Sequence, residues 1–279
     1  MNSAVPGDWT EVADHVFTRR HESWDLNVGL VVGAVGCLVI DTRVSPHQGR
    51  ELAEAVRTVT ALPWTVANTH AHLDHVLGNS AFAGAAVWGH VRCAEFLRQH
   101  GDDRLRELND LEGADLADAA IVVPDRTFEH TATIDLGGRA VTLRHLGRGH
   151  TAGDIVAEVP DAEVVFTGDL IREGGPLWFE DAYPLDWPAT LQALERVAHG
   201  AVVPGHGVVV DRDFVAGQRE LLTDVAATAR AAYEAGRPIH DAEHILPLKP
   251  RIARDALTRA YYQLAKPAEA PPRRSARSS

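Results

Sequence analysis

Apolar positions alternate with polar ones along much of the first quarter of the chain. Val16 to Thr18, Leu26 to Val32 and Cys37 to Asp41, parted by Gly33 and Gly36, read as an opening meander of about three strands. The period then changes. Leu52, Ala53 and Val56 recur at helical spacing in Pro46 to Thr58, with Ser45 placed to cap the helix and proline at its first position. A short strand, Trp64 to Ala67, follows, and residues 80–118 read as mostly helical. Thr131 to Leu136, Gly137-Gly138 and Ala140 to Leu146 form a strand, turn and strand. Ile155 to Val159, the turn Pro160-Asp161-Ala162 and Val164 to Thr167 repeat the arrangement. Trp187 to Val197 is a helix, Ala201 to Val203 a last short strand and Asp213 to Tyr233 a long amphipathic helix. Two β-rich halves, each followed by helices, predict an α/β protein built as a four-layer αββα sandwich.

Composition narrows the picture. The chain of 279 residues is 45% hydrophobic and 24% charged, ordinary for a folded soluble protein. A single domain over 1–266, closed by C-terminal helices, is expected, with a disordered tail of Pro, Ala, Arg and Ser over 267–279. No apolar run nears the roughly 20 residues of a membrane-spanning helix. The 27 Lys and Arg stand against 39 Asp and Glu, a net charge of −12, which argues against nucleic acid and anionic membranes as partners. Cys37 and Cys93 are too few for a disulfide framework, and nothing in Met1 to Thr10 marks an export signal, so a cytoplasmic location is the default expectation. The partner expected is a small-molecule substrate. The exposed faces of the C-terminal helices could also form a homo-oligomer, although packing on their own domain explains the same pattern.

The 15 histidines change the picture most, through the placement of five. Asn68-Thr69-His70-Ala71-His72-Leu73-Asp74-His75 runs straight off a strand, too polar for core and too histidine-dense for an ordinary turn. Imidazoles two apart, His70 and His72, can aim at one point while Asp74 and His75 turn to another. Imidazole and carboxylate are donors that zinc, iron(II) and manganese all accept. A hydrogen-bonded turn with exposed histidines is the bland alternative, disfavoured because unpaired imidazoles and a carboxylate are costly to bury. Gly149-His150-Thr151, Thr167-Gly168-Asp169-Leu170 and Pro204-Gly205-His206-Gly207 each set a ligand-type residue in a glycine-flanked loop at a strand end.

In that order these residues resemble the signature of the metallo-β-lactamase superfamily, over about residues 10 to 210. The resemblance implies an αββα fold with metals at one edge between the sheets. It implies His70, His72 and His150 on one metal, Asp74, His75 and His206 on a second, and Asp169 bridging both. It implies a hydrolase, most simply with two Zn2+ and with Fe2+ or Mn2+ as substitutes, cleaving a lactam, lactone, ester or thioester with a metal-bound hydroxide oriented by Asp74. Secreted lactamases sharing the motif lack the bridging aspartate, glyoxalase II-like thioesterases usually carry histidine where Ala71 stands, and the flavodiiron branch has glutamate where His72 stands. A mononuclear iron persulfide dioxygenase is the alternative reaction class.

Around the site, Trp178, Phe179, Tyr183 and Trp187 could wall a substrate pocket or pack their own loop. Tyr183 is the candidate catalytic phenol, donating to a developing oxyanion. Trp24 could cover the site or join the core. His145, Arg148, Thr151 and Asp154 are candidates to fix the tautomer of His150.

Overall fold

A computed structural model describes residues 8–112, 116 and 118–266. Strands β1 (Trp9–Ala13), β2 (Val16–His21), β3 (Leu26–Val32) and β4 (Cys37–Ile40) form an antiparallel meander. Helix α1 (Pro46–Val59) returns the chain so that β5 (Trp64–Ala67) runs parallel to β4. Its start is the one expected, with the Ser45 side chain accepting from the Gln48 amide at 3.2 Å and Pro46 at the first position. After the short helix α2 (Leu73–Val76) come β6 (Val87–His90), α3 (Val91–Glu112) and β7 (Arg126–Phe128).

The second half holds two hairpins, β8 (Thr131–Asp135) with β9 (Ala140–Arg144), and β10 (Val156–Val159) with β11 (Val164–Arg172). Helix α4 (Trp187–Leu194) leads to β12 (Ala201–His206), parallel to β11, and α5 (Arg212–Glu234), α6 (Ile239–Ala242) and α7 (Pro250–Ala265) complete the described chain. Hydrogen bonding links the strands in the order β7-β6-β5-β4-β3-β12-β11-β10-β9-β8. The junction between halves is one antiparallel pair, His206 with Leu26.

Alternation decides what each strand buries. Val31, Leu38 and Ile40 face inward onto Leu143, Ile155, Phe166 and Val203 of the second half. Their neighbours Leu30 and Val39 face the other way, onto Leu52 and Val56 of α1. Val165 and Val202 likewise turn outward onto α4, α5 and α7. Helix, sheet, sheet and helix therefore stack as the αββα sandwich that the pattern predicts.

Three details differ from the sequence reading. Strands β1 and β7 were not anticipated, and β6 interrupts the stretch 80–118 expected to be helical, because four residues before a long helix leave no periodicity to read. Strands β11 and β12 run on to Arg172 and His206, so Asp169 and His206 stand on strands rather than in loops. The tail 267–279 lies outside the described residues. Among the described residues no helix is long and apolar enough to cross a membrane.

Candidate metal centre

At one edge of the sandwich the ends of β4, β5, β11 and β12, the loop after β9 and helix α2 converge. His70 and His72 lie in the turn leaving β5, and Asp74 and His75 on α2. His150 lies between β9 and β10, Asp169 on β11 and His206 at the last position of β12. The fold brings all seven together. Donor atoms of His70, His72 and His150 lie within 4.8 Å of one another, as do those of Asp74, His75 and His206, and those of His70, His75 and Asp169. Asp169 spans the two ends, with Oδ1 3.3 Å from His75 Nε2 and Oδ2 3.2 Å from His206 Nε2 and 3.6 Å from His150 Nε2.

The orientation of each ring has a visible cause. Asp41, just past β4, accepts from the Thr69 amide at 2.8 Å, from the Thr69 hydroxyl at 2.7 Å and from His75 Nδ1 at 2.8 Å. With its proton given to Asp41, the Thr69 hydroxyl accepts from His70 Nδ1 at 3.0 Å. One carboxylate thus turns two histidines so that both Nε2 atoms face inward. His206 Nδ1 donates to the Trp24 carbonyl at 2.7 Å. His72 is reversed, its Nε2 donating to Asp181 at 3.0 Å and its Nδ1 lying 2.9 Å from His150 Nε2. Asp41, Asp181 and the Trp24 carbonyl had no signal in the sequence beyond the polarity of two ordinary aspartates. The tautomer partners expected for His150 are not found, since Asp154 spends its carboxylate on the amide and hydroxyl of Thr151, and Arg148 pairs with Asp186.

Burial sets the electrostatics. Burial and the charges of His75 and His72 hold the His70 imidazole well below its ordinary pKa. Burial, with His72 alongside, takes His150 down to about 4. Burial opposes a charge on His72 and His206 too, but Asp181 carries the first up to about 9, and Asp169 with Asp74 carries the second to about 9. Asp74 and Asp169 are likewise buried, yet the surrounding imidazoles keep both carboxyls well below the usual range.

The residues fit a pair of cations. His70 Nε2, His75 Nε2, His206 Nε2 and Asp169 Oδ1 are buried, and none has a hydrogen-bond partner. Four such atoms converging at one place are expensive unless an ion satisfies them. Five imidazoles and two carboxylates, without a thiolate, are a donor set that zinc accepts.

The superfamily model for metallo-beta-lactamases matches residues 24–206, which include all seven residues. The chain belongs to the metallo-beta-lactamase superfamily. It is a metallo-hydrolase of that group. The type 2 metallo-beta-lactamase of Bacteroides fragilis is 24% identical over 211 residues, covering 71% of this chain and 78% of the relative. The acyl-coenzyme A thioesterase MBLAC2 of Homo sapiens is 27% identical over 212 residues, covering 67% and 75%. The solved metallo-beta-lactamase from Pontibacter korlensis superposes with a TM-score of 0.63 at 23% identity, covering 78% of this chain and 99% of that one, a likeness of fold. The superfamily match ends at His206, so α5, α6 and α7 lie beyond it.

Over the centre opens a cleft of about 450 Å³, lined in part by Trp24, Phe96, Leu108, Trp178, Arg104 and Arg251. Trp24 and Trp178 expose 44% and 37% of their surface, so both indoles stand on the cleft rather than in the core. Phe179 and Trp187 do the opposite, packing edge to face at 5.7 Å in the interior. The aromatic run after Asp169 therefore divides between pocket and packing. Tyr183 is not brought to the centre, which corrects the expectation of a catalytic phenol. Its ring lies between the Arg148 and Arg259 guanidinium groups, 4.4 and 5.6 Å from their carbons, and is not part of the cleft lining.

Proposed function

We propose that this metallo-hydrolase works with two cations, zinc being the best fit, and cleaves an activated carbonyl compound in which an apolar acyl group is joined through an ester, thioester, lactone or lactam bond. The observation that carries this reading is Asp169, whose two oxygens reach toward both ligand groups. A mononuclear iron dioxygenase needs one group of ligands, and the equal burial of His75 and His206 beside Asp74 supports a second.

Cations held there supply Lewis acidity, which lowers the pKa of water and polarises a carbonyl oxygen. The chain's own residues do the rest. His70, His72 and His150 would hold one cation and Asp74, His75 and His206 the other, with Asp169 between the two groups. The Asp74 carboxylate, whose Oδ2 lies 3.4 Å from both His75 Nε2 and His206 Nε2, stays ionised and would orient the attacking water by accepting its hydrogen bond. Arg172 Nη1 donates to Asp169 Oδ2 at 3.4 Å and holds that carboxylate in its strand. Trp24, Phe96, Leu108 and Trp178 pack the substrate beside its carbonyl and exclude bulk water from it.

Elemental analysis of protein purified without added metal, with oxygen uptake measured beside hydrolysis of a chromogenic lactam, lactone, ester and thioester panel, tests the reading. Near two equivalents of zinc with turnover of a panel member and no oxygen uptake is the expected result. One equivalent of iron with oxygen uptake on a persulfide overturns it.

A further inference from the structure

A second cavity, of about 630 Å³, adjoins the metal cleft and falls within the roughly 300–1,000 Å³ of small-molecule sites. One wall is the segment after β11 and the other is α5 with the start of α7. Most of its lining therefore comes from the chain that follows the superfamily match, α5, the segment before α7 and α7 itself.

The two spaces share a border. Leu177 and Ile252 line the second cavity, whereas their chain neighbours Trp178 and Arg251 line the cleft, and Arg172 borders both. The Arg172 Nε is buried without a hydrogen-bond partner, while its Nη1 points back to Asp169.

The lining states a chemical preference. Its walls are apolar, with Leu177, Phe214, Leu221, Leu248 and Ile252 prominent. Among the described residues its charged groups are Arg172 and Lys249, and no carboxylate lines it, in a chain where 39 acids outnumber 27 bases. Gly217 adds an independent observation. It sits inside the 23-residue α5, where glycine is a poor helix former, yet a Cβ placed there meets nothing within 4 Å. The protein's own packing does not require a glycine, and its absent side chain leaves the cavity open at that wall.

We propose that the second cavity takes the apolar chain of an anionic amphiphile, a medium-length acyl group as free carboxylate or in esterified form, and so sets acyl-chain selectivity for the neighbouring cleft. The occupancy stands on the cavity itself, and only the selectivity rests on the hydrolase reading.

Calorimetric titration of the full-length, metal-loaded protein with decanoate, butyrate and decyltrimethylammonium tests it. Decanoate binds saturably, and neither butyrate nor the cation does. Gly217→Phe, at a position where a Cβ meets nothing within 4 Å, narrows the cavity and weakens decanoate about tenfold or more, and Lys249→Glu, an exposed change, does the same. The ratio of kcat/KM for decanoyl over acetyl thioester falls by a similar factor in Gly217→Phe. No saturable decanoate binding, equal binding of the cation, or binding indifferent to both variants overturns the proposal. Binding that responds to both variants, in a protein that hydrolyses neither thioester, supports the cavity assignment and strikes the hydrolase reading alone.

Discussion

Asp41 is the residue on which two ligand groups depend at once. It orients His75 directly and His70 through the Thr69 hydroxyl, so its loss frees two rings to rotate. Asp41→Ala lowers metal affinity by about 10–100-fold, read by competition with a chromophoric chelator, while distant packing is untouched. Protons compete at the same atoms. In metal-stripped protein His72 and His206 retain theirs up to about pH 9, and a cation must displace them. The pKa of His75 is also raised well above its ordinary value, by Asp74 and Asp41, so apparent zinc affinity rises with pH above neutrality, with proton release in weakly buffered titrations. The seven candidate ligands were legible because four crowd into six consecutive positions and three share glycine-flanked settings. Asp41 and Asp181 were not, because each acts only through a hydrogen bond to a residue remote in sequence. Tyr183 misled for a related reason: proximity in sequence to Asp169 does not say on which side of its loop a ring emerges.

Two elements fix the site by close backbone approach. Gly168, at φ +51°, brings β11 against Thr69, and a Cβ there would lie 2.5 Å from the Thr69 hydroxyl. Gly168→Ala should cost about 2 kcal/mol in urea unfolding and disturb the Asp41–Thr69–His70 chain of bonds. At the other end of the scale, Ser45→Ala removes the α1 cap. About 1 kcal/mol of stability in urea unfolding is the expected loss. Long elements with clear periodicity, α1 and α5 above all, were readable from the chain to within a residue or so of their ends. Short ones such as β6 and β7 were not. They are defined by pairing with β5 and with each other, which local pattern does not encode.

The two sheets meet through apolar side chains, one antiparallel pair of residues and hydrogen bonds such as those from the Asn27 amide to the Pro204 and Gly207 carbonyls. Phe166 is central to that contact. Its ring occupies the space over Gly29 of β3, where a Cβ would fall 2.5 Å from it. Phe166→Ala should cost about 3–5 kcal/mol, measured by chemical denaturation, and loosen the halves that bear the two sets of ligands. The αββα layering was legible because each half shows the same order of strands and helices. The second cavity was not, because its walls are distant segments with no common motif. The division of ligands between halves also bears on synthesis. His70, His72, Asp74 and His75 leave the ribosome early, whereas His150, Asp169 and His206 follow only as the second sheet is made. A growing chain can offer a cation a fragment of each group and no complete one. Tight capture of metal thus becomes a late event, reserved for a polypeptide whose two sheets have already closed on each other.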